Sequence, residues 1–179
     1  ALRISSPVEV FETLSTSFEK GDRPPDTFIA SFFELLAIEH PFSPRAFADL
    51  WSDIFWKNEP LLALVERLRD DVTLVMLSNT NALHTCFAEQ HFPEVFEPFA
   101  HRLYSHVEHL RKPDPAFFRR AVERAGVDPG DCLYFDDVKL YVDAAALLGI
   151  HAYHYVSVDA ARDILAVYEV LVPETAAAA

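Results

Sequence analysis

The chain has 179 residues, of which 51% are hydrophobic, with a formal net charge of −13 and two cysteines. That length holds one substantial domain, or a core with a small accessory module, and the hydrophobic content excludes a disordered chain. The acidic balance, with basic residues scattered and outnumbered, argues against nucleic acid or an anionic membrane as partner.

Ser6-Pro7-Val8-Glu9 has the marks of a helix start: Ser6 as N-cap, Pro7 at the first helical position, and Glu9 placed to complete a capping box. Phe11, Leu14 and Phe18 then fall on one face, and Gly21-Asp22 ends the pattern. A second helix is expected from near Asp26, with Phe28, Phe32, Leu35 and Leu36 as its apolar stripe. Ser43-Pro44 opens a third carrying Phe47, Leu50, Trp51, Ile54 and Phe55, and Pro60 a fourth with Leu61, Val65 and Leu68. The first 70 residues therefore predict a small four-helix antiparallel bundle. Phe32, Phe33, Phe47, Trp51, Phe55 and Trp56 form an aromatic stripe that reads first as bundle core and second as pocket lining.

Beyond residue 70 strands alternate with helices. An apolar run at 72–77 leads to a helix around 81–91, a short strand around 101–104 and a helix from Asp114-Pro115 to about Ala125. A strand at Cys132-Leu133-Tyr134-Phe135 is followed by a helix around 139–148 ended by Gly149, a strand over 151–155 and a last helix around 158–169. This alternation predicts an α/β fold, a Rossmann-like, mostly parallel sheet covered by helices, over residues 71–179. The alanines at 176–179 read as a frayed tail or a cloning remnant. Cys86 and Cys132 lack metal or disulfide spacing and are expected to be small buried hydrophobes in a reducing compartment. With no signal-peptide pattern and no apolar run of about 18 residues, the cytoplasm is the expected location.

Three groups lie where strand ends meet loops: Ser78-Asn79 after the first strand, Lys112 within Arg111-Lys112-Pro113-Asp114-Pro115, and Asp136-Asp137 after Tyr134-Phe135. In open α/β sheets, ligands gather beyond the carboxyl ends of the strands. A hydroxyl can hold a phosphoryl oxygen, a lysine can neutralise developing negative charge, and paired carboxylates can hold Mg²⁺. Each alone has a commonplace explanation as a cap or a surface charge, but together they describe a site for an anionic substrate and a hard metal. His84, His91, His101, His106 and His109 do not present the spacing of a zinc site or a Ser-His-Asp triad.

The order of these groups resembles the haloacid dehalogenase (HAD) superfamily of phosphohydrolases, in its small members with a helical cap inserted early in the chain. The likeness runs from about Leu2 to Tyr168. Leu77-Ser78-Asn79-Thr80-Asn81 is similar to the family's second motif, Lys112 to its third and Phe135-Asp136-Asp137 to its fourth; residues 1–70 look like the cap and 71–179 like the core. The resemblance implies that Ser78 hydrogen-bonds the transferring phosphoryl group while Asn79 helps to shape the loop. It also implies that Lys112 bridges nucleophile and phosphoryl oxygens, and that Asp137 binds Mg²⁺ directly and Asp136 directly or through water.

The family's first motif, a central strand ending in Asp-x-Asp that supplies the nucleophile, has no counterpart in these residues, which open Ala1-Leu2-Arg3-Ile4-Ser5-Ser6-Pro7. Loss of a central strand would leave buried backbone groups unmatched, at about 1–3 kcal/mol each. The two halves of the sheet must therefore close up directly, borrow a strand, or belong to a longer chain; the expectation is a truncation of about 20–25 residues. The fourth motif also departs from the family pattern, because Val138 offers no amide and Tyr141 is bulky where a small amide is usual; Asp143 could partly substitute.

Three readings follow. The first is a Mg²⁺-dependent phosphomonoester hydrolase acting on a small phosphorylated metabolite, once the nucleophile strand is supplied. The second is a catalytically inactive binding or scaffold protein of the same fold, and the third a dehalogenase-type carbon–halogen hydrolase that needs no metal. The expected partner is a small phosphorylated substrate, with a homo-oligomer left open.

Overall fold

A computed structural model of the chain describes residues 6–39 and 43–172. The alanine tail at 176–179 and the opening residues 1–5 lie outside the described residues. Helix α1 (Pro7–Glu19) begins with the expected capping box: Glu9 N–H donates to Ser6 Oγ at 3.2 Å and Ser6 N–H donates to Glu9 Oε2 at 2.8 Å. It is followed by α2 (Pro25–Leu35) and by α3 (Pro44–Ser52), whose N-cap Ser43 accepts from Ala46 N–H. These three helices share one core of Leu14, Phe18, Phe28, Ile29 and Phe47, with Phe32, Phe33, Trp51 and Leu83 packed around it. The Phe18 and Phe28 rings stack at 4.2 Å.

The third helix is shorter than its apolar periodicity predicts. Asp53 leaves the helical region with ψ of 53°, so Ile54 and Phe55 fall outside α3 and are exposed, as is Leu50 on its outer face. Helix α4 (Glu59–Val65), capped by Asn58, stops before Leu68, which instead forms an antiparallel bridge with Leu171. It lies against the last helix, α10 (Val158–Val167).

Strand β1 (Val75–Ser78) starts later than the apolar run at 72–77, because its extent is set by pairing: Val75 stands opposite His101 and Ser78 opposite Tyr104 of the parallel β2 (His101–Tyr104). Between them lie α5 (Ala82–His91) and the short α6 (Pro93–Phe96). After β2 come the single-turn α7 (Ser105–Glu108) and α8 (Pro115–Ala125), whose Asp114 cap and Gly126 end match the expected signals. Strand β3 (Leu133–Asp136), α9 (Lys139–Ala146) and β4 (His151–His154) complete the order, β3 and β4 pairing in parallel. Cys86 sits on the exposed side of α5, contrary to its expected burial, and Cys132 is half-buried.

Instead of one continuous sheet, the described residues form two parallel pairs, β1–β2 and β3–β4, with no hydrogen-bonded pairing between β1 and β3. Direct closure of the two halves is therefore not the arrangement adopted. Helix α8 spans them: Phe118, with Ala145 and Ile150, forms a second core onto which Leu77 of β1 and Tyr134 of β3 both pack. Burying these apolar groups, at roughly 25 cal/mol per Å² removed from water, holds the pairs side by side without backbone hydrogen bonds.

Candidate active site

The carboxyl ends of β1 and β3 are brought together by side chains. After Ser78 the chain turns through Asn79 and Thr80 to Asn81, whose Oδ1 accepts from the N–H groups of Leu83 and His84 and so caps α5. Ser105, completely buried, fixes this turn from the β2 side: its hydroxyl accepts from Thr80 N–H and donates to Thr80 C=O, both at 2.9 Å. Asn79 fixes it from the other side. Its Oδ1 accepts from Lys112 N–H at 2.7 Å, and its Nδ2 donates to Lys112 C=O at 2.9 Å and to the Tyr141 hydroxyl at 3.3 Å. The Asn79 amide thus grips the Lys112 backbone through its acceptor and one donor bond and reaches α9 through the other.

Lys112 Nζ lies 2.6 Å from Asp136 Oδ2, and each of the two residues is only 8% exposed. Tyr134, two residues earlier and so on the same face of β3, donates its hydroxyl to the same oxygen; Val138 N–H donates to Oδ1 at 2.8 Å. Burial works to raise the Asp136 pKa, yet the hydrogen bonds from Lys112, Tyr134 and Val138 N–H outweigh it and hold the carboxyl below its ordinary value. Burial first, and then the Asp136 carboxylate, push the Tyr134 phenol far above its usual range, so it stays protonated and donates. The ammonium of Lys112 also faces two rings, with Nζ 5.2 Å from the Tyr141 centroid and 6.0 Å from that of Tyr134.

Asp137 points to solvent, while its backbone carbonyl accepts from His154 Nε2 at 2.9 Å. Among the described residues no group of three or more His, Cys, Asp or Glu side chains could hold a metal ion. Two adjacent carboxylates, one of them exposed, are nevertheless a donor set suited to Mg²⁺, which takes one or two protein carboxylates and completes its shell with water and phosphate oxygens. The structure therefore brings Asn79, Lys112 and Asp136 into one bonded group, with Ser78 and Asp137 each directly adjoining it in sequence.

The helical bundle leans on this region. Glu19 Oε2 lies 2.7 Å from Arg111 Nη2, His109 Nδ1 donates to Lys20 C=O at 2.9 Å, and Gly21 packs against the His106 carbonyl. His84 stacks on Trp51, with its Nε2 on the Trp51 carbonyl at 3.2 Å and its Nδ1 against Asn81 Nδ2 at 3.1 Å. Burial lowers the His84 pKa, although the Trp51 carbonyl and the Glu19 carboxylate oppose it.

Tyr134 and Ser105 are the residues that sequence reasoning missed. The alternation Tyr134-Phe135-Asp136 could have revealed the first, since it puts Tyr134 and Asp136 on one strand face; Ser105 carries no such signal. In the sequence Tyr141 is only a bulky departure from the family pattern, and its contacts with Asn79 and Lys112 join residues far apart in the chain.

A family model of haloacid dehalogenase-like hydrolases matches residues 40–149. Among solved structures, the fold superposes on a HAD family enzyme of Bacteroides thetaiotaomicron with a TM-score of 0.72 and 25% identity, covering 80% of this chain and 72% of that one. The wild-type form of that enzyme, in complex with magnesium and inorganic phosphate, gives a TM-score of 0.69 at 24% identity over 86% of each chain. A HAD-like family hydrolase of Porphyromonas gingivalis gives a TM-score of 0.69 at 22% identity, covering 83% of this chain and 77% of that one. Among the described residues no helix is long and apolar enough to cross a membrane.

Proposed function

The chain belongs to the haloacid dehalogenase-like hydrolases, and on that premise we propose that its site serves Mg²⁺-dependent hydrolysis of a small phosphomonoester. The observation that carries this reading is the Lys112–Asp136 pair, held at 2.6 Å beside the turn that follows Ser78. Ser78 would donate its hydroxyl to a phosphoryl oxygen. Lys112 would balance the negative charge that gathers on the phosphoryl group, its backbone held in place by Asn79. Asp136 and Asp137 would hold Mg²⁺, which supplies charge neutralisation and orientation of the phosphate when bound. Magnesium and phosphate together in the Bacteroides enzyme support this choice of cofactor and ligand.

The nucleophile belongs, in this proposal, to a strand lying between β1 and β3. What supports that position is the pairing: β1 bonds to β2 and β3 to β4, leaving the opposite edge of each without a partner strand among the described residues. The helices over residues 1–70 serve as the cap and residues 71–179 as the core, with α4 the joint between them through its contact with α10.

The test is hydrolysis of p-nitrophenyl phosphate by the complete gene product, with and without EDTA. Activity that requires Mg²⁺ and is abolished by Lys112→Ala supports the phosphatase. Absence of hydrolysis favours a binding or scaffold protein, for which the displacement of an amide by Tyr141 speaks, and carbon–halogen cleavage that survives EDTA favours a dehalogenase.

A further inference from the structure

An ammonium on a four-carbon stem is a mobile, strongly hydrated point charge with three donors, and one carboxylate does not fix its direction. Around Lys112 the remaining space is walled by Tyr134 and Tyr141. The two rings are anchored differently. Both pack on the core of Phe118, Ala145 and Ile150, but the Tyr134 hydroxyl is tied to Asp136, whereas Tyr141, in the first turn of α9, receives the Asn79 amide on its hydroxyl.

We propose that Tyr141 is a positioning residue for Lys112: its ring backs the ammonium while its hydroxyl ties that ring to the side chain that clamps the Lys112 backbone. The contacts form a closed circuit. Asn79 grips the Lys112 main chain, the Lys112 ammonium meets Asp136, Asp136 accepts from Val138 N–H at the start of α9, and α9 returns through Tyr141 to Asn79. A shift of α9 is therefore felt at both the backbone and the charged end of Lys112. The inference rests on the reading of Lys112 as the cation of a phosphate site.

Two measurements on the folded protein test it: binding of inorganic phosphate by calorimetry, and the ¹H–¹³C resonance of the Lys112 ε-methylene, which an aromatic ring at this distance shifts upfield. Wild type should show the upfield shift. Tyr141→Leu should move it downfield, leaving only the share due to Tyr134, and weaken phosphate binding about tenfold, and Tyr141→Phe, which keeps the ring, should fall between the two. The proposal is overturned if the wild-type resonance already sits where an exposed lysine does, if Tyr141→Leu binds phosphate as wild type does, or if Tyr141→Phe loses as much as Tyr141→Leu. Should Tyr141→Leu fail to fold, Tyr141→Phe and a wild-type resonance at the exposed-lysine position still suffice to overturn the proposal. Phosphate binding unchanged in Lys112→Ala, or absent in wild type, would instead remove the phosphate-site reading itself.

Discussion

Gly21 lies so close to His106 that a Cβ on it would stand 2.1 Å from the His106 carbonyl oxygen. Its φ of +72° is also one that side-chain-bearing residues rarely adopt. The obstacle is backbone, so no rotamer change relieves it. Gly21→Ala should cost at least about 2 kcal/mol in a denaturant titration. A midpoint equal to that of wild type would show that the turn after α1 does not need this contact.

Removing one partner of the buried Lys112–Asp136 pair leaves an uncompensated charge. Asp136→Ala should therefore destabilise the fold by about 3–5 kcal/mol at neutral pH. Because the folded pKa of Asp136 is depressed, its contribution is fully present above the unfolded carboxylate pKa and disappears as the pH falls through the folded value. Stability curves of wild type and variant should converge in acid; parallel curves down to the lowest pH would contradict the pairing.

His84 gives the opposite kind of group a matching slope. Burial holds its folded pKa below the unfolded value of about 6.5, so the unfolded chain takes up the proton first. Stability should fall as the pH drops from that value to the folded pKa and level off below it. His84→Gln should flatten this part of the curve, leaving the slope due to His106, whose pKa is lowered first by burial. An unaltered profile in the variant would mean that His84 is solvated.

Asn79→Ala removes three hydrogen bonds at once and leaves the Lys112 N–H and C=O to find other partners. A loss of about 2–3 kcal/mol is expected, together with faster hydrogen exchange at the Lys112 amide. Exchange at wild-type rate would show that another group holds the loop.

Local signals were legible where a short stretch of sequence determines the outcome. Ser6, Pro7 and Glu9 specify the start of α1, and Asp114, Pro115 and Gly126 bracket α8, because caps depend on neighbours three or four residues away. The grouping of Asn79, Lys112 and Asp136 followed from strand ends meeting at one side of a parallel sheet. What stayed hidden depends on distant packing. Ile54 and Phe55 continue the periodicity of α3, yet Asp53 ends that helix. The limits of β1 follow from its register with β2, and the division of the described strands into two pairs is a matter of long-range pairing that no single stretch of sequence specifies. The ring of Tyr141 against Lys112 joins residues that no local pattern relates.

The Leu68–Leu171 bridge is flanked by hydrogen bonds from Arg69 N–H to Val170 C=O at 3.0 Å and from Val172 N–H to Arg67 C=O at 2.8 Å. It fastens the segment just ahead of β1 to the segment just after α10, making the α/β module a closed loop of chain with its own clasp. The three-helix bundle lies outside that loop, joined to it along the chain by residues 53–58 and α4 and packed on it at Leu83, His84 and His106. Lifting the bundle off that loop would break the Glu19–Arg111, Lys20–His109 and Trp51–His84 contacts but none of the bonds of the clasp or of either strand pair.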